Sequence, residues 1–197
     1  AGGLADWTSI PAFEEAGDDL VAAILEEAGK LAGGEIAPTN VPGDQIGAKW
    51  TEEGVISPDV FKPMHQAYVE GGWSTLSAKP ELGGQGLPST LSTAVDEMVT
   101  SANMAYSLLP MLTSGAIEAI DAHGTDEQRH LYLPKMITGE WSGAMNLTEP
   151  SAGSDVGALR AKASRQADGS YLITGQKIFI TWGDHDLADN VIHLVLA

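Results

Sequence analysis

Residues 145–155 read Met145-Asn146-Leu147-Thr148-Glu149-Pro150-Ser151-Ala152-Gly153-Ser154-Asp155. The chain before this stretch carries apolar residues at helical spacing, whereas the chain after it has the short runs typical of strands. The stretch therefore lies at the junction of a helical part and a strand part, and we predict an α+β fold. Ligands often bind at such junctions, so residues 145–155 are the first candidate for a site.

The composition excludes several classes of protein. The 197 residues include 27 acidic and 10 basic side chains, for a formal net charge of -17 at pH 7. Such a charge repels phosphates, so we expect no binding to nucleic acid or to an anionic membrane, although it equally suits a solvated acidic surface. Because the chain has no cysteine, disulfides, thiolate metal ligands and a cysteine nucleophile are excluded.

A cytoplasmic location is the default expectation. The sequence starts without a basic segment followed by an apolar run, and no segment approaches the ~20 apolar residues of a membrane span. We therefore expect no stable membrane insertion.

Apolar residues at helical spacing predict a series of helices in the first part of the chain. The predicted segments are 20–31, 57–70, 91–102, 104–122 and 125–134. Ser57 and Thr125 are expected as N-caps, Thr125 in a capping box with Gln128. Segment 104–122 is apolar on most faces, which predicts a position inside a bundle or against another subunit. Pro110 should kink this helix or mark its first turn.

Other features of the helical part favour structural roles. Residues 37–44 are rich in Gly, Pro and Asn and predict a loop. The glycines of residues 83–86 lack the preceding strand and the spacing of a dinucleotide-binding motif, so they predict a tight loop rather than a phosphate site. The five histidines lack metal-ligand spacing, and we expect no metal site. They are His65, His123, His130, His185 and His193.

After Gly139 the pattern changes to short strands. Strands are predicted at 141–147, 159–167, 171–174, 177–181 and 191–196. Asp168-Gly169 is a hairpin signal between two of them. This spacing suggests a small antiparallel barrel or sandwich. The last run is apolar enough for a central strand, yet the given sequence ends there, so we expect the chain to continue.

Residues 145–155 offer neutral hydrogen-bonding groups. Thr148 and Ser154 carry hydroxyls, and a turn at Gly153 would leave backbone N–H groups unobstructed. These groups could hold a polar ring edge or a phosphate, or they could form a capped turn between a strand and a loop. Glu149 and Asp155 could act as an acid/base pair, but no flanking histidine or lysine supports that role.

The chain resembles the acyl-CoA dehydrogenase family along nearly all of its length. The most specific match is Leu147-Thr148-Glu149-Pro150-Ser151-Ala152-Gly153-Ser154-Asp155-Val156-Gly157. The second is Ile173-Thr174-Gly175-Gln176-Lys177-Ile178-Phe179-Ile180-Thr181, with the family's aromatic-Ile-Thr ending. Supporting matches are Gly83-Gly84-Gln85-Gly86 and His123-Gly124-Thr125-Asp126-Glu127-Gln128. The resemblance implies an α-helical bundle domain over residues 1–140, followed over residues 141–197 by the first strands of an antiparallel β-barrel domain.

The resemblance also implies that FAD lies at this junction. It places the flavin ring against residues 145–154, with Thr148 on its pyrimidine side, and against residues 179–181, with Thr181 near N5. Ser154 would also contact the thioester or pantetheine portion of an acyl-CoA substrate. The implied cofactor-binding residues are Met145, Asn146, Leu147, Thr148, Gly153, Ser154, Phe179, Ile180 and Thr181.

The implied reaction is the α,β-dehydrogenation of an acyl-CoA thioester, as in the β-oxidation of fatty acids. Electron-transfer flavoprotein usually accepts the electrons in this family. The family's catalytic base is a glutamate of a C-terminal helical domain, which lies outside residues 1–197. We therefore assign no catalytic residue here and expect these residues alone to be an inactive partial scaffold for FAD and acyl-CoA. The full-length parent is expected to be a homo-oligomeric enzyme.

The long region before the signature resembles the larger subgroup of the family, which includes long-chain and 3-methylthiopropanoyl-CoA dehydrogenases. Two alternatives stay open. Acyl-CoA oxidases of the same fold pass electrons to oxygen. A non-catalytic relative could instead have lost FAD and act as an interaction module through the apolar segment 104–122.

Overall fold

The computed structural model describes residues 4–197. The α-helices are α1 (Asp18–Leu31), α2 (Ala37–Ile46), α3 (Phe61–Glu70), α4 (Ser89–Ala102), α5 (Met104–His123) and α6 (Asp126–Ile137). The strands are β1 (Lys49–Thr51), β2 (Gly54–Ile56), β3 (Trp141–Asn146), β4 (Lys162–Arg165), β5 (Tyr171–Thr174) and β6 (Asn190–Val195). Short 3-10 turns lie at Leu4–Ser9, Pro11–Phe13, Trp73–Thr75, Pro80–Leu82 and Val156–Ala158.

The loop predicted at residues 37–44 is wrong, because these residues are helical. α1 passes through a π-helical turn, Ala32–Ile36, directly into α2. Pro38 and Pro42 both lie within this continuous helical stretch, where each lacks the N–H that the helical hydrogen-bond ladder uses. Ile36 is fully buried, and Thr39 donates its hydroxyl to the Ile36 carbonyl at 2.6 Å. Tertiary packing thus overrides the low helix propensity of Gly and Pro.

Two helices differ from the prediction at one end. α3 begins at Phe61 rather than next to Ser57. α6 has the predicted capping box on Thr125 but continues past Pro134 to Ile137. Burial of the last turn compensates for the hydrogen bond that proline cannot make. The buried residues of that turn are Leu133, Met136 and Ile137.

α5 runs through the centre of the helical domain, as its apolar sequence predicts. Tyr106 belongs to the core shared with α1, α3 and α4, whereas Ile120 belongs to a second core shared with α6. Pro110 lies inside this helix, beyond its first turn. Met104 and Met111 are 65% and 57% exposed, so one side of α5 is uncovered within the described residues.

No helix in residues 4–197 has both the length and the hydrophobicity needed to cross a membrane.

The predicted order, a helical domain followed by strands, is confirmed. β4 and β5 form an antiparallel hairpin around the predicted Asp168-Gly169 turn. β1 and β2 form a second antiparallel hairpin, which was not predicted, within the helical half.

β3 and β6 pair in parallel, which corrects the antiparallel expectation for these two strands. A long connection through residues 147–189 lets β6 return in the same direction. Within residues 4–197 the strands form three separate pairs and no closed barrel.

The strand predicted at residues 177–181 is also wrong. Phe179 and Trp182 have φ angles of 58° and 51°, in the left-handed region that interrupts an extended strand. The segment crosses the end of β3 instead, where the Ile178 amide donates to the Thr148 carbonyl at 3.0 Å. Residues 177–181 are therefore held by individual contacts and not by a ladder.

β3 packs closely on α5. The Gly143 amide donates to the Thr113 hydroxyl at 3.0 Å. A Cβ atom at Gly143 would lie 2.6 Å from the Ala116 Cβ and 3.0 Å from the Met136 Cε, so glycine permits this approach. The loop that follows β3 consequently starts from a fixed point on the helical core.

Candidate functional site

The loop after β3 is a closed turn that exposes its outer end. The amide of Glu149 donates to the Ala152 carbonyl at 2.9 Å, and the amide of Ala152 donates back to the Glu149 carbonyl at 3.1 Å. Gly153 and Ser154 follow this turn and are exposed to solvent. Their N–H and hydroxyl groups are therefore available to a ligand at the outer end of the turn.

The inner part of the predicted site is less exposed. Met145 and Asn146 are the last residues of β3 and are half-buried, as is Thr148. Leu147 is 37% exposed. These residues line the step from the strand into the loop, where a ligand could contact both backbone and side chains.

Glu149 is the buried anchor of this loop. Its carboxylate accepts the Arg160 amide at 2.7 Å, the Ala161 amide at 2.9 Å and the Lys177 ammonium at 2.9 Å. The hydrogen bond from the Arg160 backbone and that from Lys177 lower the pKa of Glu149 to about 2. A carboxylate so firmly ionised cannot take up and release a proton near neutral pH.

The sequence offered no flanking histidine or lysine to support an acid/base role of Glu149, and the lysine that contacts it is a distant one that pairs with the carboxylate instead. Lys177 lies 28 residues further along the chain, so no local sequence pattern predicts the ion pair between Lys177 and Glu149. The side chains of Lys177 and Glu149 are only 9% and 4% exposed. Asp155 has a local role, since its carboxylate accepts the Gly157 amide at 3.1 Å. These contacts assign both carboxylates to structure rather than to acid/base chemistry.

Lys177 also joins the two segments that the sequence marked as a site. Its ammonium donates to the Leu147 carbonyl at 3.0 Å. The neighbouring Ile178 amide donates to the Thr148 carbonyl at 3.0 Å. The structure thus places residues 147–148 beside residues 177–178, although 30 positions separate Leu147 from Lys177.

Residues 179–181 continue from this contact toward the helical domain. Phe179 is 86% exposed on a left-handed backbone, Ile180 is half-buried and Thr181 is exposed. An exposed phenyl ring on a strained residue is unfavourable unless another surface covers it. Together with the neutral donors of Thr148 and Ser154, it offers an apolar face and a polar edge. This combination fits a planar aromatic ring system such as a flavin.

Residues 182–187 make hydrogen bonds that hold the end of segment 179–181 to the helical domain. Trp182 donates its indole N–H to the Ala105 carbonyl of α5 at 2.9 Å. The carboxylate of Asp184 accepts the Val55 amide of β2 at 3.1 Å. Nothing in the sequence pattern identified these contacts, because they join parts of the chain that are 77 and 129 residues apart.

Asp186 connects the same segment to α3. Its carboxylate accepts the Ser57 amide at 2.8 Å and pairs with the Lys62 ammonium of α3 at 2.8 Å. Burial opposes ionisation of Asp186, but the bonds from Lys62 and Ser57 outweigh it and lower the pKa to about 2. The strand part is therefore tied to α3 by a carboxylate that stays charged at neutral pH.

A cleft of about 630 Å³ lies between Thr181 and the helical domain. Apolar side chains of Phe61 and Leu108 line it, with Asp44 and Asp184 among its polar groups. None of the described lining residues is basic, so the cleft suits an uncharged group better than a phosphate. It opens beside the segment predicted to hold a cofactor.

A buried serine–histidine pair does not form a second catalytic site. The hydroxyl of Ser142 lies 2.9 Å from Nε2 of His185, whose Nδ1 accepts the Leu187 amide at 3.1 Å. Because Nδ1 is an acceptor, the neutral imidazole carries its proton on Nε2 and donates to Ser142. His185 therefore cannot serve as a base for this hydroxyl. Among the described residues, no cluster of three or more His, Asp or Glu side chains is arranged to hold a metal ion.

Comparison with known proteins places the chain in a family. The model for the acyl-CoA dehydrogenase N-terminal domain matches residues 21–140. The 3-methylmercaptopropionyl-CoA dehydrogenase of Ruegeria pomeroyi is 46% identical over 197 residues, which cover 98% of this chain and 34% of that protein. A butyryl-CoA dehydrogenase of Syntrophomonas wolfei is 40% identical over 185 residues, which cover 92% of this chain and 30% of that protein.

A solved structure agrees with the sequence comparisons. The acyl-CoA dehydrogenase from Bacillus anthracis complexed with FAD superimposes with a TM-score of 0.70 at 25% identity. The match covers 86% of this chain and 28% of that one. The chain thus spans about a third of the length of the curated relatives it matches.

Proposed function

This chain belongs to the acyl-CoA dehydrogenase family, and from that premise we propose that it is part of an FAD-dependent oxidoreductase that converts an acyl-CoA thioester to its α,β-unsaturated product. One observation carries the proposal. The two segments predicted to hold the flavin, around Thr148 and around Thr181, are separated in sequence yet joined by Lys177 and Ile178. These contacts support a flavin site between the two segments, with the neutral donors of Thr148 and Ser154 on one segment and the exposed Phe179 ring on the other.

The residues present fit a flavin. Met145, Asn146, Leu147 and Thr148 would lie along the pyrimidine edge, with Gly153 and Ser154 at the outer end of the turn. Phe179, Ile180 and Thr181 would cover the face of the ring and approach N5. When bound, FAD supplies the hydride acceptor for the reaction. Neutral hydroxyl and amide donors at the ring edge stabilise negative charge there, and Phe179 excludes water from the ring face.

None of the described residues is proposed as the catalytic base. Glu149 is excluded because its carboxylate is paired and its pKa is about 2. By resemblance, the base is a glutamate of a C-terminal helical domain. We propose that residues 1–197 alone form a partial binding scaffold without dehydrogenase activity. Turnover of an acyl-CoA by these residues with an artificial electron acceptor would contradict this.

The proposed substrate is a short acyl-CoA thioester that is linear or carries sulfur. The relatives named for 3-methylmercaptopropionyl-CoA, which is 3-methylthiopropanoyl-CoA, and for butyryl-CoA support this class. Counted from the thioester carbonyl carbon, the butyryl group has four chain atoms and the 3-methylthiopropanoyl group has five, one of them sulfur. We therefore propose a preference for short acyl groups over long ones. Ser154 is the proposed contact to the thioester or pantetheine. A place in fatty-acid metabolism, an electron-transfer flavoprotein as partner, a homo-oligomer and a cytoplasmic location stay predictions.

The experiment is to purify the full-length protein and measure its flavin content and its turnover of a panel of acyl-CoA thioesters. We expect a yellow protein with flavin absorbance that reduces electron-transfer flavoprotein and acts best on short acyl groups. Rapid peroxide formation in air would favour an acyl-CoA oxidase instead. A colourless protein that FAD cannot reconstitute would overturn the proposal and favour an interaction module.

A further inference from the structure

We propose that Lys177 is a positioning residue that holds the loop around Thr148 and the segment around Thr181 at the spacing a flavin requires. This inference rests on the proposed function. It adds a residue that is not among those proposed to contact the cofactor or the substrate. Lys177 stands outside the set of residues expected to contact the flavin, yet it contacts the backbone of one segment and belongs to the other.

The geometry gives Lys177 two partners on the loop after β3. Its ammonium lies 3.0 Å from the Leu147 carbonyl oxygen and 2.9 Å from Oε1 of Glu149. The first contact fixes the backbone just before Thr148. The second ties the same lysine to a carboxylate that also accepts the Arg160 and Ala161 amides. One side chain therefore connects the end of β3, the entrance to β4 and the segment leading to Thr181.

Besides Lys177, one backbone hydrogen bond, from the Ile178 amide to the Thr148 carbonyl at 3.0 Å, holds the segment around Thr181 to the loop after β3. Residues 177–181 belong to no strand, and Phe179 has a φ angle of 58°. A left-handed residue persists only where the surrounding contacts impose it. Beyond Thr181, the Trp182 indole is held by the Ala105 carbonyl at 2.9 Å. The contacts of Lys177 and of Trp182 thus anchor the two ends of this segment.

Burial makes the lysine contact hard to replace. The Lys177 and Glu149 side chains are 9% and 4% exposed, so water cannot readily substitute for either partner. Loss of the ammonium would leave the Leu147 carbonyl without this donor and the Glu149 carboxylate without its counter-charge. Buried charge-assisted bonds of this kind are geometrically specific, since the fixed partners define where the donor must lie.

The test compares Lys177→Met with wild type in the full-length protein. We expect FAD to bind about tenfold more weakly, as for loss of a donor to a buried acceptor. We also expect a changed visible circular dichroism spectrum of the bound flavin and a fall in kcat larger than any change in KM. Lys177→Arg, which keeps the positive charge and several N–H donors, should restore much of the affinity and the spectrum. Lys162→Met removes an exposed lysine of β4 and should leave the FAD affinity, the circular dichroism spectrum and kcat unchanged.

A second measurement is independent of the cofactor. Hydrogen exchange of the Ile178 amide in FAD-free protein should become about tenfold faster in Lys177→Met, because that amide bonds to Thr148 within the held region. Exchange in α4, whose residues make no hydrogen bond or ion pair with Glu149 or Lys177, should stay the same. If Lys177→Met does not fold, Lys177→Gln replaces it, since glutamine keeps a donor but removes the charge.

The possible results separate this inference from the proposed function. A wild-type protein that binds no FAD would overturn the proposed function, while faster Ile178 exchange in the variant would still support positioning. A wild-type protein that binds FAD, with folded Lys177 variants equal to it in affinity, spectrum and exchange, would overturn positioning and leave the proposed function standing. Failure of Lys177→Arg to improve on Lys177→Met would also count against positioning.

Discussion

At the residue scale, the meaning of each side chain at the junction depends on what it contacts. Glu149 and Thr148 are neighbours in the sequence, yet Glu149 is saturated by Arg160, Ala161 and Lys177, whereas no protein partner of the Thr148 hydroxyl is seen among the described residues. A carboxylate satisfied by the protein is structural. A half-buried hydroxyl beside a site is the group to test for ligand contact.

Thr148→Val in the full-length protein should weaken FAD binding by about 1 kcal/mol, because valine keeps the shape but loses the hydroxyl. Titration of the apoprotein with FAD measures the change. Thr174→Val, in an exposed strand position of β5, is the matched control and should leave binding unchanged. Equal FAD affinity in wild type and Thr148→Val would remove Thr148 from the proposed site.

Two substitutions of Phe179 should differ in their effect on stability but not in their effect on FAD binding. Its φ angle of 58° suits glycine, so Phe179→Gly should be about 1 kcal/mol more stable than Phe179→Ala in the FAD-free protein. Both substitutions remove the exposed ring and should weaken FAD binding to a similar extent. Chemical denaturation and FAD titration of the two variants check this. A Phe179→Ala variant as stable as Phe179→Gly would show that the backbone strain is not retained.

At the element scale, the position of the junction loop follows from how β3 rests on α5. Gly143 makes this approach possible, and the Thr113 hydroxyl accepts its amide. β6 then pairs along β3, from Asn190 opposite Trp141 to Val195 opposite Asn146. The end of β3 is thereby fixed from two sides, which gives the loop around Thr148 a rigid origin.

Gly143→Ala should destabilise the protein by about 1–3 kcal/mol, because the new methyl group would overlap Ala116 and Met136 in a packed core. Gly115→Ala in α5 is the matched control. A Cβ at Gly115 meets nothing within 4 Å, so that substitution should stabilise the helix by up to about 1 kcal/mol. Urea denaturation of both variants measures the difference. Similar stabilities for the two would contradict the close packing of β3 on α5.

At the scale of the whole molecule, a half-buried histidine, His65, and a buried one, His185, lie where the helical and strand parts meet. His65 of α3 contacts the Tyr106 hydroxyl at 2.9 Å, and His185 bonds to Ser142 of β3 at 2.9 Å. Burial, together with the nearby His185, lowers the pKa of His65 from 6.5 to about 4. Burial lowers the pKa of His185 as well, against the opposing charges of Asp186 and Asp184. The packed junction therefore holds both rings in the neutral form.

Acidification should loosen this junction. The unfolded chain binds a proton at His65 near pH 6.5, whereas the folded protein does so only near pH 4. The stability contributed by the neutral ring is therefore present above pH 6.5 and is lost as the pH falls toward 4. Between about pH 7 and about pH 5 we expect the free energy of unfolding to fall by about 2 kcal/mol through this group.

The measurement is urea denaturation of wild type and His65→Gln at both pH values. Acid also neutralises part of the -17 net charge, which changes self-repulsion in both proteins, so the difference between them isolates His65. His65→Gln should lose less stability on acidification than wild type does. An equal loss in the two proteins would show that His65 does not stay neutral in the fold.

The sequence alone determined the features that depend on neighbouring residues. The succession of a helical part and a strand part, the capping box at Thr125, the hairpin at Asp168-Gly169 and the resemblance to a family all follow from sequence patterns. A cap or a hairpin turn is formed by groups a few residues apart, so its signal lies within a short window. The same holds for the extended segment that became β3.

Only the tertiary structure decided the features that depend on distant contacts. The helical state of residues 37–44 comes from burial, the parallel pairing of β3 and β6 from a long return, and the role of Glu149 from Lys177. The bond between Ser57 and Asp186 spans 129 positions. Such partners leave no periodic trace, because their energies arise only once packing has excluded water and brought the groups within hydrogen-bonding distance.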